Sequence, residues 1–204
     1  MNSIRRLKTK STIILLLCSA VVAGCAMTGS SVRSWVDEQT AVAITAQKRA
    51  MVFYHENFQA GVNLYDFADL GAFEINQSGK RHQYLCLNLW STLSRTTEQQ
   101  SQIGTAFNTM VIWADDQPLT FKRLTQNREM VHVSNAVFKR ADASESYYEI
   151  SPGQLSVLAA AKELRLAPAN QAQGETPYHL WRNEHNSLIA FVDEVSHTAK
   201  LIGQ

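Results

Sequence analysis

Between Tyr84 and Trp90 the side chains alternate. Leu85, Leu87 and Leu89 fall on one side and Tyr84, Cys86, Asn88 and Trp90 on the other. A period of two belongs to a strand. Both sides are largely apolar, so this strand is expected inside a sheet and covered on both faces. Residues 70–75 form its matching arm, and Asn76-Gln77-Ser78-Gly79 has the chemistry of a hairpin turn. Upstream, Val42 and Ile44 alternate with Ala41, Ala43 and Thr45, which predicts a strand over 40–46; residues 51–55 predict another. Downstream, residues 107–113 and 119–122 read as a second hairpin around Asp115-Asp116-Gln117-Pro118. Residues 130–138 alternate again, and 147–150 form a further short strand.

At Ser151 the period changes. Ser151-Pro152-Gly153-Gln154 reads as a helix N-cap, a proline at the first helical position and a capping-box glutamine. Leu155, Leu158, Ala159, Lys162 and Leu166 lie on or near one helical face, with Pro168 as the stop. Residues 178–181 and 188–192 then predict a last hairpin across Asn183-Glu184-His185-Asn186, followed by a frayed tail or a short helix. Many short strands with one helix predict a mainly β or α+β domain. The expected form is an antiparallel β-sandwich or open barrel, with one helix from the C-terminal half packed against it. Such a helix could shield an exposed strand edge.

The N-terminus follows a different plan. Arg5, Arg6, Lys8 and Lys10 precede an apolar run over 13–24, the layout of a secretory signal. The run is shorter than the ~20 residues needed to span a bilayer. It ends in Val22-Ala23-Gly24-Cys25, which resembles the lipobox of bacterial lipoproteins. That resemblance implies cleavage between Gly24 and Cys25 and acyl chains on Cys25. A single chain anchors only marginally, whereas several hold a protein firmly. Ala26 follows the cysteine where an aspartate would favour inner-membrane retention, so the resemblance implies an outer-membrane anchor with the body facing the periplasm. The expected organisation is a signal peptide over 1–24, the lipidated cysteine and tether over 25–31, one β-rich domain over 32–195 and a tail over 196–204.

Removing the signal changes the charge. The 204-residue chain carries +1; the remaining 180 residues have 15 basic and 18 acidic side chains, or −3. A mildly acidic body gives no electrostatic footing for nucleic acid. Cys18 leaves with the signal and Cys25 carries lipid, so Cys86 has no disulfide partner within the chain and is expected as a small buried hydrophobe.

Within the body, Trp35-Val36-Asp37-Glu38-Gln39-Thr40-Ala41, Phe73-Glu74-Ile75-Asn76-Gln77-Ser78-Gly79 and Trp90-Ser91-Thr92 occur in that order. They resemble a group of uncharacterised proteobacterial lipoproteins, over roughly the first half of the mature chain. The resemblance implies no activity.

The chain carries few motifs of known chemistry. There is no G-x-S-x-G elbow, no S-x-x-K and no glycine-rich phosphate loop. Asp115-Asp116, Asp66 and Asp69 read as turn or surface acids. The six histidines are not spaced as metal ligands, and no cofactor is expected. His179 and His185 flank a predicted turn and are the pair a zinc or copper ion would use. Trp90 and Trp113 sit on predicted core strands, which leaves Trp35 and Trp181 as candidates for an exposed partner surface. The leading expectation is a non-catalytic periplasmic binding or assembly module anchored to the outer membrane and contacting an envelope protein. The alternatives are a small hydrolase acting on peptidoglycan or lipid, and a periplasmic metal-binding protein.

Overall fold

The computed structural model describes residues 30–38, 40–59, 62–92, 96–125, 138, 140, 143–170 and 176–202. The expected strand over 130–138 lies outside them except for Phe138, as do Gly24 and Cys25. Ten strands and three helices are described. The strands are β1 (Val32–Asp37), β2 (Val42–Gln47), β3 (Met51–Gln59), β4 (Val62–Gln77), β5 (Lys80–Ser91), β6 (Thr109–Ala114), β7 (Gln117–Lys122), β8 (Ser144–Ile150), β9 (Leu164–Pro168) and β10 (Tyr178–Arg182). The helices are α1 (Thr97–Ala106), α2 (Pro152–Ala160) and α3 (His185–Ile202). The protein is mainly antiparallel β, as its alternation predicts, and none of the described helices is long and apolar enough to cross a membrane.

The sheet is built around β4. One edge pairs with β5 from Asp66 to Gln77. The other edge is shared: β3 takes residues 62–70 and β2 takes 73–76. Strands β2 and β3 therefore run in line, with a break opposite Gly71 and Ala72. The fully buried Gln47 fills this break, its Oε1 accepting the Ala72 N–H at 2.9 Å. Beyond β3 the order continues β10, β9, β6, β7; on the other side β5 pairs with β8. The two ends approach each other through a single bridge, Arg123 to Tyr148, and the Leu124 N–H donates to the Tyr147 carbonyl at 2.8 Å. With no ladder between β7 and β8 the sheet curls but stays open.

Local chemistry sets the turns. Ser78 and Gly79 both have positive φ, 52° and 85°, in a two-residue loop between Gln77 and Lys80. This is the geometry whose twist suits a hairpin, and it favours glycine. In the β6–β7 turn Asp115 has φ 54° and its carboxylate accepts the Lys162 and Glu163 N–H groups, each at 3.0 Å.

Two expectations are corrected. The helix begins at Pro152 with the predicted Ser151–Gln154 capping box, but it ends at Ala160 instead of running to Leu166. Asp115 captures the backbone just past it, and Leu164–Pro168 becomes a strand between β6 and β10. The apolar stretch at 188–192 is not a strand but part of α3, which continues through 196–202. Leu188, Phe191 and Val195 recur at helical spacing and are buried in the main core. Helix α1 was not expected, although Thr96 and Gln99 form a capping box like that of α2.

The main core lies on the inner side of the curl. It includes Leu70, Leu85, Leu87, Phe53, Ile112, Leu155 and Phe191. A smaller cluster of Ile44, Ala46, Phe73, Cys86 and Tyr147 covers the outer side of β4 and β5.

Candidate functional site

A cleft of about 750 Å³ opens where the start of β5, the end of β8, the first turn of α2 and the later turns of α3 meet. This is within the usual size range of a small-molecule site. Its position follows from the strand pattern. Glu74 continues the inward-facing series Ala68, Leu70, Ala72, and Arg81 and Gln83 continue that of Leu85, Leu87 and Leu89. The register sets Glu74 directly opposite Gln83. Three polar side chains are thus carried inward at the end of an apolar stripe.

They form a compact network. Glu74 is 4% exposed. Its Oε1 accepts from Arg81 Nε at 2.8 Å and pairs with Nη2 at 2.7 Å, while its Oε2 accepts from Gln83 Nε2 at 3.2 Å. Arg81 Nη2 also donates to the Val195 carbonyl of α3 at 2.7 Å, tying the helix to the sheet. The buried carboxylate is therefore compensated by charge and by hydrogen bonds, the condition for tolerating an ion away from water. Ile150, Pro152 and Val195 add apolar lining, and exposed His82 and Glu149 approach to 3.4 Å beside it.

The second candidate is an aromatic stack on the outer face. Phe67 and Trp90 are cross-strand partners with ring centroids 4.1 Å apart and planes within 13°. The Arg140 guanidinium lies 3.4 Å over Trp90, and the Trp90 indole N–H donates to Asp69 at 2.9 Å. Arg140 also pairs with Asp69 at 3.2 Å. On the other side Trp181 packs against Phe67 at 5.0 Å, yet remains 58% exposed. The stack thus holds Trp181 from beneath and leaves much of it open.

The residues predicted from sequence are not gathered into one site. Trp35 is half-buried against the smaller cluster, with Arg33 over its ring at 5.0 Å. It stands on β1, and β2, β4 and β3 separate it from β10, the strand that carries Trp181. His179 packs against the Tyr54 ring, whereas His185 lies 3.0 Å from the Leu158 carbonyl of α2. No group of three or more histidine, cysteine, aspartate or glutamate residues among the described residues is arranged to hold a metal. Cys86 is buried. Burial first, and then the charge of Glu145, push its thiol pKa well up, which disfavours the reactive thiolate.

The hydrolase alternative meets a geometric obstacle at His55. Ser91, Asp66 and His55 are register partners in a row across β5, β4 and β3. The carboxylate stands in the middle, whereas triad chemistry needs the imidazole there. Ser91 Oγ donates to the Tyr65 carbonyl at 3.2 Å.

Sequence reasoning missed Glu74, Arg81 and Gln83. The available signal was phase: each continues an otherwise apolar inward series, which marks a polar side chain carried into the interior. No protein-family model, curated protein or solved structure matches this chain.

Proposed function

We propose that this chain is a lipid-anchored envelope protein with a non-catalytic binding or assembly role, its body facing the periplasm and engaging a protein partner through Trp181. The observation that supports the binding role is the state of Trp181, 58% exposed and backed by Phe67 and Trp90. A large ring already held in place loses little freedom on association, and tryptophan is enriched among the residues that dominate binding energy. The lipobox-like Val22-Ala23-Gly24-Cys25 supports the anchor, and Ala26 supports the outer membrane.

A photo-crosslinking amino acid at position 181, introduced in intact cells, tests the surface. The expected result is one discrete adduct with an envelope protein, absent when the crosslinker replaces exposed Glu98. Crosslinks no different from those at position 98 would remove the proposed partner surface. Cys25→Ser tests the anchor separately: the protein should move from the membrane fraction to the aqueous extract.

A further inference from the structure

Strand β1 closes one end of the sheet order, pairing with β2 and with no other described strand. An edge of this kind offers main-chain donors and acceptors to any chain that can match it, and proteins usually blunt it with proline, lysine or a bulge. The strand at the far end of that order, β7, carries Pro118 and Lys122. Strand β1 carries neither residue type, and its register with β2 is unbroken from Val32 to Asp37. One contact sets the phase of its hydrogen bonds: the Lys48 N–H donates to the Ser31 carbonyl at 2.8 Å. Bonded and non-bonded pairs alternate along an antiparallel ladder, so Arg33 and Trp35 turn their main chain toward β2, and Ser34 and Val36 turn theirs outward. The Ser34 and Thr45 hydroxyls meet at 3.0 Å, as the closer side chains of a non-bonded pair should. Val36 is also 60% exposed, more than any other large apolar side chain among the described residues.

We propose that β1 is the interface of a homodimer, two copies pairing antiparallel about Trp35 so that one sheet runs through both. The occupant is a second copy because the strand is complementary to itself. With Trp35 opposite Trp35, Ser34 of each copy exchanges main-chain hydrogen bonds with Val36 of the other, the pairing that their outward groups require. The same register sets Arg33 of each copy opposite Asp37 of the other, on the face that carries both indole rings. Cross-strand pairs of opposite charge and of aromatic rings both favour pairing. A register two residues away would oppose Arg33 to Trp35, or Trp35 to Asp37, and leave the charges unmatched. The present contacts are compatible with this. Arg33 lies over the Trp35 ring of its own chain at 5.0 Å. Asp37 accepts from Thr40 Oγ1 at 2.9 Å, and a carboxylate takes several such bonds at once. The surface is separate from that of Trp181, which stands on β10 with β2, β4 and β3 between. The interface is small, so the dimer is a weak, reversible one in the micromolar range.

The test measures the mass of the full-length protein in detergent by sedimentation velocity across the micromolar range, with far-UV circular dichroism to check folding. The wild-type chain should pass reversibly from monomer to dimer. Val36→Pro removes an outward N–H at an edge position, where proline is tolerated, and should leave a folded monomer. Arg33→Asp sets like charges opposite each other and should weaken the dimer about tenfold or more; adding Asp37→Arg should restore it. Arg33 and Asp37 lie too far apart along one strand to pair within a chain, so a merely structural role gives no such rescue. The charge exchange stands as the test even if Val36→Pro fails to fold. Trp35→Cys should form a disulfide between copies on mild oxidation, because the Cβ atoms of a directly opposed pair lie within reach; Val36→Cys, opposite Ser34, should not. A wild-type monomer throughout, a dimer indifferent to Val36→Pro and Arg33→Asp, a double exchange no tighter than Arg33→Asp alone, or a Trp35→Cys disulfide to a different protein in intact cells would overturn the proposal.

Discussion

On the inner face of β4 and β5 the central side chains are Ala68, Leu70, Ala72, Leu85, Leu87 and Leu89, all part of one large core. On the outer face of the same strands they are Phe67, Asp69, Gly71, Phe73, Tyr84, Cys86, Asn88 and Trp90. The inner face is aliphatic and is held by close packing. The outer face combines ring stacking with directed polar contacts, such as Asn88 Nδ2 donating to the Phe138 carbonyl at 2.7 Å. Two faces of one hairpin thus use different physics. Aliphatic packing tolerates little loss of volume but carries few directional demands. The outer face depends on shape and hydrogen-bond geometry at individual positions, and the exposed Trp181 of β10 packs against it.

The largest expected effect is on the inner face. Leu87 is fully buried at the middle of β5, and Leu87→Ala should cost about 2–5 kcal/mol, read as a lower urea midpoint at unchanged slope. On the outer face, a methyl group added at Gly71 would overlap the Phe138 ring. Gly71→Ala should therefore cost about 1–3 kcal/mol. Adding Phe138→Ala should remove most of that cost, and a double-mutant cycle without coupling would show that the ring does not depend on the glycine. The smallest effect is a pH dependence. The folded Cys86 thiol has a raised pKa, so above the unfolded thiol's value of about 8.5 the unfolded state binds fewer protons than the native one. This contribution is complete below that pH. It diminishes by up to about 1.4 kcal/mol per pH unit as pH climbs toward the folded value. Cys86→Ser should flatten the slope measured by urea unfolding between neutral and alkaline pH.

How far the chain could be read followed from how local each signal was. The β4–β5 hairpin was legible because the alternation of Leu85, Leu87 and Leu89 and the Ser78-Gly79 turn agree within a few residues. The start of α2 was legible from Ser151 and Gln154 for the same reason. Its end was not, since Asp115 draws the chain away from the helix across 47 residues of sequence. Residues 188–192 form a short apolar run that suits a strand or a helix equally, and the deciding contacts are made with the core. A place outside the apparent core strands singles out Trp35 and Trp181 alike, yet Trp181 is exposed and Trp35 is half-buried. The cleft was harder to foresee: Glu74 and Arg81 meet only after the turn has fixed the register.

The Gln47 side chain has a consequence for alignment. By standing in for main chain at the junction between β2 and β3, it keys the end of β2 to one amide of β4. That strand end cannot slide along its neighbour without abandoning the peg. Alignment of the end of β2 against β4 is thereby checked at a single point.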